Sequence, residues 1–166
     1  MGKQTCVHHQ RYYGSVIESP IGKISLTATS IALLEINLLE GELCQTHQEN
    51  KILWQAKIEL ENYFAGKLSM FKVPLSLSGT TFQISVWEKL RQIPYGTQLS
   101  YSVLAKSIGR KGAARAVGSA NKKNKLPIII PCHRVTLSDG TIGGYSAGTE
   151  IKRELIELEM RNKLSV

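Results

Sequence analysis

The sequence predicts an α/β protein in two parts, a β-rich half over residues 1–78 and a helical half over residues 79–166. Three observations predict it. Short strand-like runs crowd the chain before residue 40, whereas apolar residues recur at helical spacing after residue 80. Two short helices beyond Ser100 flank a glycine-bearing turn, the pattern of a helix-turn-helix. Charge divides the chain at the same place: residues 1–78 hold 7 basic and 7 acidic side chains, residues 79–166 hold 14 and 6. The whole net charge of +8 therefore lies in the second half. At 166 residues and 42% hydrophobic content the chain can bury a core, which excludes disorder over most of its length.

Each element has its own signal. Tyr12–Ile17 and Lys23–Ala28 read as strands around the turn Ser19-Pro20-Ile21-Gly22, and Ile31–Leu38 as a third. Asn50–Ala65 reads as a helix, with Leu53, Ala56, Leu60 and Phe64 on one stripe and Gly66 as its stop. Lys72–Leu77 is a candidate short strand, and Ser78-Gly79-Thr80 is the expected domain boundary. Thr81–Ile93 carries Phe82, Val86, Leu90 and Ile93 on a helical stripe ended by Pro94-Tyr95-Gly96. Ser100 caps a helix over Tyr101–Ile108, closed by Gly109, and a second helix spans Ala113–Lys122. Ile128-Ile129-Ile130, between two prolines, reads as a buried strand, and Glu150–Arg161 as the last helix.

No apolar run approaches the roughly 20 residues of a membrane span. The start, MGKQTCVHHQRYY, has no signal-peptide core, so a soluble intracellular protein is expected. Three cysteines argue against a disulfide framework. From Tyr101 to Arg134 there are eight basic residues and no acid, a block that favours a polyanion, nucleic acid before membrane. On the second helix of the pair, Ala113, Ala116, Val117 and Ala120 are expected to face inward. Ala114, Arg115, Gly118, Ser119 and Lys122 face outward. Readers of base edges present long amides or several arginines there. A bare face around one arginine suits close approach in a narrow groove and occupation of a vacated base position.

Pro131-Cys132-His133-Arg134 sets a cysteine at the end of an apolar run in a basic field, where a thiolate is favoured. A bare Cys-His pair still reads as an inert core cysteine. A third residue changes that reading. Glu159 and Lys152 fall on the apolar stripe of the last helix with Ile151, Leu155 and Ile156, while Arg153, Glu154, Glu157 and Arg161 form its solvent face. A carboxylate on a core face needs a partner, and an imidazole that accepts a thiol proton supplies one.

Ile130-Pro131-Cys132-His133-Arg134-Val135 resembles the active-site signature of 6-O-alkylguanine-DNA alkyltransferases, the methylated-DNA–protein-cysteine methyltransferase family. The match extends through Phe82-Gln83, Val86-Trp87, Ile93-Pro94-Tyr95-Gly96, Ser100-Tyr101, Ala113-Ala114-Arg115-Ala116-Val117-Gly118 and Asn124. It continues through Gly143-Gly144-Tyr145-Ser146, Gly148 and Lys152 to Glu159. The first half matches more loosely, at Ser19-Pro20-Ile21-Gly22 and Leu60, Tyr63, Phe64 and Gly66.

The resemblance implies a ribonuclease H-like N-terminal domain and a winged helix-turn-helix C-terminal domain, the latter binding double-stranded DNA that carries 6-O-alkylguanine. It implies an irreversible, single-turnover transfer of the alkyl group to Cys132. The thiol proton leaves through a water to His133, oriented by Glu159. It further implies that Tyr101 contacts the phosphate beside the lesion and protonates the leaving guanine, and that Arg115 fills the space of the flipped nucleotide. Asn124 braces the turn to the active site, Tyr145 and Ser146 line the guanine pocket, and the Val135 carbonyl reads the base. Lys152 belongs to the same substrate site. Ser102, Arg110, Ala114, Gly118, Lys122 and Ser138 fall where the family meets DNA.

The resemblance implies no cofactor, and a monomer acting in the cytoplasm, or the nucleus of a eukaryote, is expected. Cys6, His8, His9, Cys44 and His47 match no strong zinc spacing, so no metal is expected. Two other classes compete: a lesion binder without chemistry, which Cys132 argues against, and a transcription regulator, which the bare helix face disfavours.

Overall fold

The structure, a computed structural model, describes residues 11–38 and 48–163. Strands β1 (Tyr13–Ser19), β2 (Gly22–Ala28) and β3 (Leu33–Asn37) form an antiparallel meander. Ser19 pairs with Gly22, leaving Pro20 and Ile21 as the turn. Gly22 sits there at φ +101°, a conformation that strains any residue with a side chain. Ile24, Leu26, Leu33 and Ile36 are buried, and α1 (Lys51–Phe64) contributes Leu53, Ala56, Leu60 and Tyr63 to the same core. Asn50 starts α1: its Oδ1 accepts from the Leu53 amide (2.9 Å) and its Nδ2 donates to the Thr29 carbonyl (2.8 Å). Such a cap is worth about 1 kcal/mol, and here it also ties the helix to the β2–β3 turn.

The second half is built from α2 (Thr81–Leu90), α3 (Tyr101–Ser107), α4 (Ala114–Lys122) and α5 (Thr149–Lys163), with a 3-10 turn at Cys132–Arg134. Thr80 and Gln83 close a capping box at α2, and Ser100 caps α3. Gly109 (φ +72°) and Gly112 (φ +82°) carry the tight link from α3 to α4. The two-residue strands β4 (Leu99–Ser100) and β5 (Val135–Thr136) pair in parallel. That pairing fixes the chain just after the 3-10 turn beside the start of α3. The core continues across residues 78–80: the Ile36 amide donates to the Lys125 carbonyl (2.8 Å), and the Tyr63 and Tyr95 rings meet edge-on at 5.8 Å.

Several elements differ from the sequence expectation. The candidate strand at 72–77 reduces to one bridge, Leu33 to Leu75, because Pro74 has no amide with which to extend a ladder. The expected strand between Pro127 and Pro131 is a buried turn in which Ile128 adopts φ +72° and the Ile130 amide donates to the Leu126 carbonyl. Asn124 dictates this, accepting from the Leu126 amide (3.0 Å) and donating to the Ile130 carbonyl (2.9 Å). The apolar run is buried with no partner strand among the described residues. Helix α2 stops at Leu90 rather than Ile93, since residues 91–93 tighten into a turn before Pro94. On α4, Ala116 is exposed rather than inward, and Asn121 takes a buried place. The five candidate zinc ligands, Cys6, His8, His9, Cys44 and His47, lie outside the described residues. Among the described residues no helix is long and apolar enough to cross a membrane.

Candidate active site

Cys132 opens the 3-10 turn and is 3% exposed. Asn124 Nδ2 lies 3.1 Å from its sulfur while also holding the Ile130 carbonyl, so one amide braces both the turn and the nucleophile. The Tyr145 hydroxyl is buried beside the same sulfur without an ordinary hydrogen bond. Burial pushes the Cys132 thiol up, and Asn124, Tyr145 and the Lys152 ammonium pull against that only in part. The resting group is a thiol, not the thiolate that the basic field suggests, because desolvation outweighs distant cations.

Lys152 is fully buried. Its Nζ donates to the carbonyls of Val135 (2.6 Å) and Ile142 (2.5 Å), clamping β5 to the loop ahead of α5. Its ammonium lies 5.9 Å from the Tyr101 ring centre. Burial lowers it to about 8, with Cys132 opposing.

Glu159 is where the expectation of a buried, partnered carboxylate meets the structure most fully. It is 1% exposed, and its Oε1 meets His133 Nε2 at 2.8 Å. Arg134 adds Nη2 to Oε1 (2.8 Å) and an Nε shared between Oε2 (2.9 Å) and Oε1 (3.1 Å). The Tyr63 hydroxyl donates to Oε1 (2.8 Å) and the Gly96 amide to Oε2 (2.9 Å). Burial alone would raise this carboxyl, yet His133 and Arg134 hold it down at about 2.

A carboxylate facing His133 would by itself favour an imidazolium, and the structure corrects that. Burial lowers His133, and Arg134 and Lys152 lower it further, against the pull of Glu159. The resting ring is neutral. With Nε2–H donating to Glu159, Nδ1 is left as an acceptor, buried and with no partner among the described residues. That free lone pair can take a proton from the thiol.

Tyr101, Asn121, Lys122, Cys132, Tyr145 and Ser146 line a cavity of about 10 Å³ over the sulfur. Tyr101 is half-buried, its hydroxyl facing Asn121, and burial raises its phenol. Gly118 faces the Tyr101 ring, where an added Cβ would make an ordinary contact at 3.8 Å. Ser102 and Ser138 are brought together at 3.2 Å. Arg110, Arg115 and Lys122 are exposed along the α3–α4 pair, with Ala114 half-buried between them. Sequence reasoning missed Arg134, Tyr63, Asn121 and the Gly96 amide. Tyr63 left one signal, a tyrosine on the core stripe of α1, whose hydroxyl has to find a partner when buried.

Two family models match the chain: the 6-O-methylguanine DNA methyltransferase ribonuclease-like domain over residues 12–77, and the DNA-binding domain of the same name over residues 81–161. A methylated-DNA–protein-cysteine methyltransferase of Methanosarcina barkeri is 46% identical over 155 residues, covering 90% of this chain and 98% of that protein. The constitutive enzyme of that name from Bacillus subtilis is 38% identical, covering 89% and 94%. A crystal structure of the Mycobacterium tuberculosis protein in complex with DNA superposes with a TM-score of 0.84 at 42% identity, covering 90% and 94%.

Proposed function

The chain belongs to the 6-O-methylguanine DNA methyltransferase family, and on that premise we propose that it repairs alkylated DNA by direct reversal. It moves the alkyl group of a 6-O-alkylguanine to Cys132, once per molecule. The observation that carries this reading is the position of the Cys132 sulfur. It lies at the floor of a cavity that opens beside α3 and α4, in the same 3-10 turn as His133.

The chemistry follows from the geometry. The sulfur attacks the alkyl carbon, an S–C bond forms, and the C–O bond to the guanine breaks. The thiol proton goes to His133 Nδ1 through a water, and Glu159 holds the imidazolium so formed. Tyr101 supplies a proton to the departing guanine. A cavity of about 10 Å³ cannot hold a purine, so the 143–148 loop has to shift when the base enters. Gly143 and Gly148, both at positive φ, end that loop.

A base still stacked in the duplex cannot reach this sulfur, so the nucleotide is flipped, with Arg115 entering the space it leaves. Arg110, Arg115, Lys122, Ser102 and Ser138, with Ala114 and Gly118 allowing close approach, form the DNA face, and salt weakens that binding. Val135, Tyr145, Ser146, Asn124 and Lys152 frame the base pocket. Residues 1–78 and 79–166 are the two domains, the first supporting the second. The protein works as a monomer without a cofactor in the compartment that holds DNA.

The test is the intact mass before and after incubation with a duplex carrying 6-O-methylguanine. A gain of one methylene per chain, confined to Cys132, is expected. An unchanged mass with retained lesion binding would instead favour a binder without chemistry.

A further inference from the structure

The transfer chemistry above draws every group from the second half of the chain, yet Glu159 has a partner in the first. Tyr63 lies on α1, 96 residues away in sequence, and is completely buried. Its ring is caged by Phe64 (5.3 Å), Phe71 (5.5 Å) and Tyr95 (5.8 Å), which leaves the hydroxyl one direction to point. It meets Glu159 Oε1, the oxygen that also accepts from His133 Nε2, both at 2.8 Å. Arg134 Nη2 reaches that oxygen at 2.8 Å as well. With Arg134 Nε also at 3.1 Å, the donors on this one oxygen exceed its in-plane lone pairs, so they share the charge.

We propose that Tyr63 is a positioning residue for the transfer reaction: by donating to the Glu159 oxygen that holds His133, it limits how strongly that carboxylate draws a proton onto the imidazole. The proposal rests on the alkyl-transfer reading for its consequence, though not for the hydrogen bond itself. The balance matters because His133 has two duties. It has to be neutral at rest to accept a proton at Nδ1, and it has to become basic enough to take one. Arg134 and the Gly96 amide fix the carboxylate from within the second half, while Tyr63 adjusts it from the first. Docking of α1 thereby becomes part of the proton relay.

The charged and titratable groups around this centre act consistently. Glu159 faces His133, Arg134, Tyr63, Tyr95 and Tyr145, and His133 feels Arg134 and Lys152 besides. Burial and the adjacent Glu159 raise the Tyr63 phenol well above its ordinary value, so it stays a donor throughout the working range.

Tyr63→Phe keeps the ring and its cage but deletes the donor. The readout is the His133 imidazole titration, followed by NMR in the whole protein, together with single-turnover transfer against pH on a 6-O-methylguanine duplex. The midpoint of His133 should rise by about half a unit, roughly threefold in proton affinity. Transfer should be slower than wild type on the acid side, where more of the imidazole is protonated, and no slower above neutrality, where a more basic neutral ring accepts the thiol proton more readily. A purely structural lesion lowers the rate at every pH. Incorporating 3-fluorotyrosine at position 63, a stronger donor of nearly the same shape, should move the midpoint the other way. An unchanged His133 midpoint in both variants overturns the proposal, as does a uniform rate loss with no shift. If wild type itself transfers no alkyl group, the functional reading fails, while the His133 titration still decides whether Tyr63 sets the imidazole.

Discussion

Replacing Glu159 by Gln preserves volume and removes one buried charge, and the structure sets the size of the effect. In the fold the carboxyl is held at about 2, against 4.5 for the free group. A depression of that size stabilises the fold by roughly 3 kcal/mol at neutral pH. The sign is that of a depressed acid: the contribution is complete above about 4.5 and is lost as pH falls through about 2. Glutamine carries none of it. Its amide NH2 also has to face donors already supplied by Arg134, Tyr63, Gly96 or His133, and Arg134, 5% exposed, is left with the Ile93 carbonyl (2.6 Å) and one uncharged amide oxygen. For a chain of this length the melting temperature should fall by roughly 6–12 °C at pH 7. The gap between variant and wild type should narrow on acidification.

The same loss acts on rate. Without the carboxylate the imidazolium formed during transfer has no counter-charge, and each unit of lost His133 basicity costs about tenfold. Single-turnover transfer should drop at least about tenfold at pH 7. It should recover in part near pH 9, where hydroxide can take the thiol proton. Coincident melting curves at pH 7, together with superimposed pH–rate profiles, would refute the reasoning.

Cys132→Ser should abolish transfer while leaving duplex binding within a few-fold of wild type by fluorescence anisotropy, since a hydroxyl stays protonated. A serine variant that still transferred at a comparable rate would remove Cys132 as the acceptor. Arg115→Ala should slow repair of duplex by about tenfold or more yet spare reaction with the free modified base, which needs no flipping. Equal losses on both substrates would instead indicate a folding or pocket defect. Asn124→Ala strands the buried Leu126 amide, at about 1–3 kcal/mol, and leaves the Ile130 carbonyl with only the Cys132 amide. It should lower the melting temperature and shift iodoacetamide labelling of Cys132 to higher pH, and an unshifted labelling profile would show that the 3.1 Å contact does not tune the sulfur.

Local sequence determined a good deal of this protein. Helical periodicity identified α1, α2, α3 and α5 to within a few residues, and it put Glu159 and Lys152 on a buried stripe before any partner was known. The Cys132, His133 and Glu159 residue types pointed to an activated nucleophile, and the ordered motif from Phe82 to Glu159 carried the reaction class through its resemblance to the alkyltransferases. What local pattern could not carry was anything set by side-chain contacts, near or far along the chain. Three isoleucines between prolines look like a strand, and only the Asn124 side chain, bonding to both ends of the segment, bends them into a turn.

The charge states escaped the sequence for the same reason. A basic stretch argues for a thiolate and a facing carboxylate for an imidazolium, but protonation follows the whole of the immediate surroundings. Burial outweighs the field at Cys132, and at His133 burial joins Arg134 to outweigh the pull of Glu159. Arg134 was visible only as a letter in the signature, and Tyr63 only as a letter in the looser match of the first half. Their convergence on one carboxylate requires α1, the 3-10 turn and α5 to pack together, and that packing is decided by the tertiary structure, since hydrogen bonds and desolvation act over ångströms and not along the chain.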